Sequence, residues 1–253
     1  MLAWVFASTR VLLAPLKRLG RTQMNVFKGL RWWVTARRHP SAFLLAVQLL
    51  GVLLYPAMED TDAGRALFGA FGMLVLALAL WVVNRSASIN WIAWCLAVPA
   101  VTMSLLSVLG KMPGLLVYAH LLEGALYFYT AASLTAYMLQ DHHVSRDELY
   151  AAGATFTLLA WAFAFSFSVC QQWYPGSFTA AVHPDQPRTW MELLFLSFSV
   201  LSSVGLSDII PIRPEARALV MLESFAGVMY IALVVSRLIG LTTLRVKRSQ
   251  DGE

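Results

Sequence analysis

The stretch Thr189–Pro211, TWMELLFLSFSVLSSVGLSDIIP, decides how the rest of the chain is read. Thr189 and Glu192 have the spacing of a capping box, in which the Thr side chain and the Glu carboxylate satisfy orphan N–H groups at a helix start. A helix beginning there runs only to about Ser202, because Gly205 and Ser207 then interrupt the apolar pattern. That is too short to cross a bilayer core, which needs about 20 apolar residues. Long apolar runs flank it, Leu149 to Trp173 before and Glu215 to Leu241 after. The segment is therefore expected to enter a membrane and return on the same side. Non-helical backbone at that depth survives only where it is buried in protein or lines a watery cavity, since unpaired N–H and C=O groups are costly in lipid. Ser203 to Asp208 is the candidate for such backbone.

Composition agrees with a membrane setting. The 253 residues are 58% hydrophobic and only 13% charged, against about 25% charged in soluble domains. The two cysteines, Cys95 and Cys170, lie inside apolar runs and offer neither a disulfide framework nor a metal cluster. Charge is uneven. The first 58 residues hold eight Lys or Arg and no Asp or Glu, a basic arm suited to an anionic lipid surface. In Met1 to Arg38 the residues Trp4, Phe6, Phe27, Trp32 and Trp33 alternate with Arg10, Lys17, Arg18, Arg21, Lys28 and Arg31. This predicts an amphipathic interfacial segment lying in the headgroup plane, divided by Pro15, Gly20 and Gly29. A cleaved signal peptide is the rival, and Arg10 inside the apolar stretch counts against it.

Six apolar spans follow: Ala42–Met58, Gly64–Val83, Ile89–Leu109, Gly114–Leu139, Leu149–Trp173 and Glu215–Leu241. The expected fold is an all-α membrane protein with six transmembrane helices, a re-entrant helix and loop between the fifth and sixth, and the N-terminal interfacial helix. Five regions are expected: the basic segment 1–40, a four-helix domain 41–140, a linker 141–148, the fifth span, re-entrant loop and sixth span at 149–244, and a tail 245–253. Basic residues in short loops belong on the cytoplasmic side. Cytoplasmic N- and C-termini then put the basic arm, Arg85, Arg146, Arg237, Arg245, Lys247 and Arg248 inside, with the re-entrant loop descending from the opposite side of a cell membrane.

The string Phe198-Ser199-Val200-Leu201-Ser202, Ser203-Val204-Gly205-Leu206-Ser207-Asp208, Ile209-Ile210-Pro211 resembles the potassium-channel signature. The usual form is T-V-G-Y-G-D, preceded by F-x-T-L-T and followed by a short apolar stretch and Pro. The resemblance implies a selectivity filter in which the carbonyls of Ser203, Val204, Gly205 and Leu206, with the Ser203 hydroxyl, replace the hydration shell of a potassium ion; Ser207 completes the ion-binding set. Two departures bear on that filter. Ser207 stands at the second Gly, where a left-handed non-glycine residue costs roughly 1–2 kcal/mol. Leu206 replaces an aromatic residue and cannot hydrogen-bond behind the filter, and Phe195 stands where some members have a bracing Trp.

The last span resembles the inner helix of small bacterial ion channels, keeping Glu223, Gly227, Tyr230 and Arg237-Leu-Ile-Gly240. Gly227 is the gate or hinge candidate, with close helix packing as the equal alternative. Asp208, Glu192 and Glu223 are the candidates for filter support, and a carboxylate at the depth of Glu223 needs a partner. One loop supplies one strand of a carbonyl ring, so the resemblance implies a homotetramer.

The first four spans resemble a voltage sensor in number only, because the fourth carries no Arg or Lys. His120 and Glu123 share a helix face there with Tyr127 one turn on. They are read either as a satisfied packing cluster or as a proton sensor. His142, His143, Arg146 and Asp147 read as a solvated linker rather than a metal site.

The expected function is passive potassium-selective conduction, with a weakly selective cation channel as alternative and a secondary transporter third. No catalytic constellation recurs in the spans, so no enzyme activity is expected. No cofactor beyond permeant potassium ions, no metal beyond them and no nucleic-acid partner is implied; the partners are copies of the chain and anionic lipids on the cytoplasmic side.

Overall fold

The structure is a computed structural model and describes residues 40–58, 62–83, 90–110, 112, 114–140 and 146–250. The basic segment 1–39, linker residues 141–145 with His142 and His143, and residues 251–253 lie outside the described residues. Seven helices and one small ladder are described: α1 (Pro40–Met58), α2 (Asp62–Val83), α3 (Asn90–Leu109), α4 (Leu115–Gln140), α5 (Arg146–Trp173), β1 (Phe178–Thr179), α6 (Trp190–Leu201), β2 (Ile210–Pro211) and α7 (Pro214–Gln250).

While α2 and α3 pack on α4 and each other, the most connected helix is α5, which touches α1, α4, α6 and α7. Its sequence explains why. Ala151, Ala154, Ala160, Ala162 and Ala164 alternate with Trp161, Phe163, Phe165 and Phe167, and all nine are buried. A helix apolar on every side is an interior helix, and small residues let neighbouring backbones approach. Gly153 is one such point, since a Cβ there would lie 2.8 Å from Leu45 Cδ2 on α1.

Helix directions follow from the pairs that meet. Ser41 Oγ donates to Asp147 Oδ2 at 3.4 Å and Thr157 Oγ1 to Gln48 Oε1 at 2.7 Å, so α1 and α5 run the same way. His120 meets Ser168 while Tyr127 meets Trp161, so α4 runs against α5.

Among the described residues two helices are long and apolar enough to cross a membrane, Asp147–Trp173 within α5 and Pro214–Arg237 within α7. The first four expected spans appear as α1 to α4. The apolar stretches of α1, α2 and α3 are shorter, Pro40–Pro56, Phe71–Val82 and Trp91–Ser107, and α4 carries His120 and Glu123 within its 26 residues. The flanking helices differ in cover: 78% of the apolar stretch of α5 is buried but only 17% of that of α7.

Two boundaries and one local detail differ from expectation. The linker ends early, because α5 begins at Arg146, with Asp147 and Glu148 in its first turn where acidic residues suit the helix dipole. The tail is not separate, because α7 continues through Gln250. The fold is also not purely helical. β1 and β2 pair antiparallel, Phe178 with Pro211 and Thr179 with Ile210, and Ile212 N–H donates to the Ser177 carbonyl at 2.8 Å. Two residues per strand is below what sequence periodicity can signal.

Candidate functional site

The loop expected to be re-entrant is built from its helix outward. At the start of α6 both halves of the capping box are formed: Glu192 N–H donates to Thr189 Oγ1 at 3.3 Å and Thr189 N–H to Glu192 Oε2 at 2.6 Å. The helix spans 12 residues, about 18 Å at 1.5 Å per residue, well short of a crossing. Leu193, Leu194, Leu196, Ser197, Ser199 and Leu201 are its buried residues. Trp190 packs between α5 and α1, its ring 5.0 Å from Trp161 and 6.1 Å from Tyr55.

At the other end the chain leaves the helix through a specific set of backbone bonds. Ser202 caps it, Ser203 N–H donates to Val200 O at 2.9 Å, and the N–H groups of Val204 and Gly205 both donate to Ser199 O at 3.1 Å. Ser202 Oγ donates to the same Ser199 carbonyl at 3.2 Å. In a planar trans peptide the C=O of one residue points opposite to the N–H of the next. The Ser203 and Val204 carbonyls therefore point away from Ser199 and from the end of α6. Ser203 (φ 61) and Gly205 (φ 70) are left-handed while Val204 between them is not, the alternation that lines N–H groups along one side of a backbone.

This relocates the expected strain. Ser207 was expected to occupy a left-handed conformation and does not. Its hydroxyl accepts the Ile209 N–H at 3.1 Å instead, a local side-chain turn that serine readily makes. Ser203 carries the left-handed backbone, held by its bond to Val200. Ser203, Val204, Gly205 and Leu206 are all exposed in the single chain, Val204 by 69% and Leu206 by 72%.

The support candidates separate. Glu223 is fully buried, and its Oε1 accepts from Ser197 Oγ, which also lies 2.8 Å from the Ala160 carbonyl. Its Oε2 has no hydrogen-bond partner among the described residues. Glu192 is spent at the capping box and on Arg188, 3.4 Å away. Asp208 is exposed beyond the loop.

On α7 the residues singled out by sequence share one seam. One turn past Glu223, a Cβ on Gly227 would lie 2.2 Å from the Leu201 carbonyl oxygen and 2.9 Å from Leu201 C and Cα. Tyr230 Oη donates to the Ala152 carbonyl at 2.6 Å, and Arg237 pairs with Glu148 at 3.3 Å. Glu223, Gly227, Tyr230 and Arg237 thus hold α7 to α6 and α5. The other face, with Met221, Leu222, Phe225, Val228 and Met229, is exposed.

The cluster on α4 reaches two neighbouring helices. His120 Nδ1 lies 3.1 Å from Ser168 Oγ on α5, Tyr127 stacks on Phe165, and Glu123 Oε1 accepts from Ser104 Oγ on α3 at 2.9 Å. His120 and Glu123 each have a polar partner on a neighbouring helix, the arrangement of a packing cluster. Sequence reasoning passed over Ser197, Ser199, Arg188 and Glu148. For Ser197 the available signal was a hydroxyl within the apolar run of a short helix; Ser199 acts through its backbone carbonyl, which its residue type does not mark.

Compared with known proteins, residues 153–243 match the family model described as ion channel. No curated protein and no solved structure matches the chain. The matched segment takes in most of α5, the whole of α6 with its loop, and α7 through the Glu223–Arg237 seam. The chain therefore carries, at residues 153–243, an ion-channel domain of the pore-loop, potassium-channel-like kind.

Proposed function

We propose that the protein is a homotetrameric, potassium-selective channel that conducts passively through a ring of main-chain oxygens. Ser203, Val204, Gly205 and Leu206 contribute carbonyls, the Ser203 hydroxyl adds an inner ligand, and Ser207 ends the ion-binding set. The observation that carries this reading is the pair of N–H groups, Val204 and Gly205, committed to Ser199 O, which leaves the opposed carbonyls to the open side of the loop. A potassium ion loses its water only where several such oxygens surround it.

The ring needs copies of the chain, and the cover of the helices supports where they sit. α1 and α4 pack on α5 of their own chain, while the apolar face of α7 and the side chains of Val204 and Leu206 have no cover among the described residues. In the assembly α7 lines the pore and neighbouring copies cover the loop. Glu223 supports the filter by holding α6 through Ser197, and Asp208 and Glu192 act at its two ends. Gly227 serves close packing first, and gating movement falls to the part of α7 beyond it. The proposed topology has six crossings, with α1 to α4 as a companion domain without sensor arginines. Both termini lie in the cytoplasm of a cell membrane, the basic arm on its anionic lipids.

A second reading, a weakly selective cation channel of the same architecture, is favoured by one feature: Leu206 has no group with which to hydrogen-bond behind the filter. Reversal potentials of purified protein in a planar bilayer, under bi-ionic potassium and sodium, separate the two. The potassium reading predicts reversal far toward the potassium equilibrium potential. Reversal near zero would establish the weakly selective channel, and counter-ion-coupled flux without unitary current would replace both by a transporter.

A further inference from the structure

We propose that Arg188 is a positioning residue for the far end of the filter strand, acting through the loop between α5 and α6 and the β1–β2 ladder. The proposal rests on the channel reading above.

Arg188 is only 4% exposed although it lies in a connecting loop. Its Nε donates to Gln186 O at 3.1 Å, Nη1 to Val182 O at 3.2 Å, and Nη2 to the carbonyls of His183 and Gln186. Nη1 also reaches Glu192 Oε1 at the first turn of α6. One planar guanidinium thus gathers three loop carbonyls and ties them to the start of the re-entrant helix. Its own backbone is clamped to α5 by Gln171, which accepts from Arg188 N–H at 3.0 Å and donates to Arg188 O at 2.8 Å. His183 is left-handed (φ 51), a conformation that non-glycine residues keep only when their surroundings hold it.

The gathered loop reaches the filter in two steps. Thr179 Oγ1 donates to Pro184 O at 3.3 Å, which joins the loop to β1. β1 then pairs with Ile210 and Pro211, the second and third residues after Asp208. Ile209, between Asp208 and the ladder, is buried. The near end of the strand is fixed by Ser199 O. Among the described residues no backbone hydrogen bond ties Leu206, Ser207 or Asp208 to another element, and Leu206 has no polar group to do so. The outer half of the strand therefore takes its position from the ladder, and the ladder from Arg188.

Lysine cannot replace this arrangement. Arginine offers five donors in a rigid fork, whereas lysine offers a compact ammonium that cannot span three carbonyls. Arg188→Lys, Arg188→Gln and Thr179→Val are compared in planar bilayers with the unaltered protein and with Asp185→Asn, an exposed side chain of the same loop whose carbonyl is not one of the three that Arg188 gathers. The readouts are the bi-ionic potassium-to-sodium permeability ratio and the steadiness of unitary current, with assembly followed by size. Loss of a charge-assisted bond sets the scale, so both Arg188 variants should lower the ratio by about tenfold. Thr179→Val should lower it less, and Asp185→Asn not at all.

Assembled Arg188 variants with the unaltered ratio and steady current would overturn the proposal, as would reduced assembly with no change in either readout. If neither Arg188 variant assembles, Thr179→Val decides: an unchanged ratio refutes the linkage and a lowered one supports it. An unaltered protein that passes no current would remove the channel reading, and the role of Arg188 with it, before any variant is compared.

Discussion

Gly227→Ala is expected to dissociate or unfold the pore assembly rather than merely to retune its opening. On helix propensity alone the change should help, because alanine is better than glycine inside a helix by about 1 kcal/mol. Packing opposes it. The new methyl would sit 2.2 Å from the Leu201 carbonyl oxygen, a backbone atom at the end of α6 that cannot swing aside like a side-chain tip. Overpacking of a filled site costs about 1–3 kcal/mol, and here relief would require α7 to move away from the helix that precedes the filter. In the proposed tetramer the loss recurs in every copy. Gly240→Ala is the comparison, because an added Cβ there meets nothing within 4 Å, and it should be tolerated. Thermal unfolding and size in detergent check both. A stable, assembled Gly227→Ala protein with only an altered open probability would instead make Gly227 a hinge.

Gly205→Ala is expected to leave the chain folded and remove selective conduction. The reason differs from that at Gly227, since space is ample and nothing lies within 4 Å of an added Cβ. The cost is conformational. Gly205 holds φ +70, where an L side chain costs roughly 1–2 kcal/mol. Rotation to a negative φ would break the alternation that sends the N–H of Gly205 to Ser199 and the Val204 carbonyl the other way. Potassium selectivity measured under bi-ionic conditions should fall by tenfold or more, about the effect of 1.4 kcal/mol on a ratio. Ser203→Gly is the informative counterpart. Ser203 already holds φ 61, so glycine there should raise thermal stability by up to about 1 kcal/mol while removing the hydroxyl assigned to the inner ion site.

The parts of the structure legible in sequence are those set by local chemistry. The start of α6 could be read from Thr189 and Glu192 because both capping bonds close within three residues. Its end could be read because Gly205 and Ser207 break an apolar run. The helices α1 to α5 and α7 follow from run length. What was not legible depends on contacts between distant residues. Ser207 was expected to be left-handed from its place in a motif, yet handedness is set by where the N–H groups go. Ser199 collects those of Val204 and Gly205, and the hydroxyl of Ser207 closes on Ile209. Spacing alone put His120 and Glu123 on one face of α4, whereas their partners lie on two different helices. The pairings of Ser197 with Glu223, Glu148 with Arg237, and Arg188 with three loop carbonyls required the fold itself. Arg188 reads in sequence as one more charge in an external loop, and its cradle exists only once Val182 to Gln186 curl around it.

A density map of the protein in lipid nanodiscs tests the account most directly. It predicts four copies around one axis, with the carbonyls of Ser203, Val204, Gly205 and Leu206 facing that axis and ion density between them when potassium is present. Residues 203–207 facing lipid or solvent away from any symmetry axis, or a monomer without an axial passage, would contradict it.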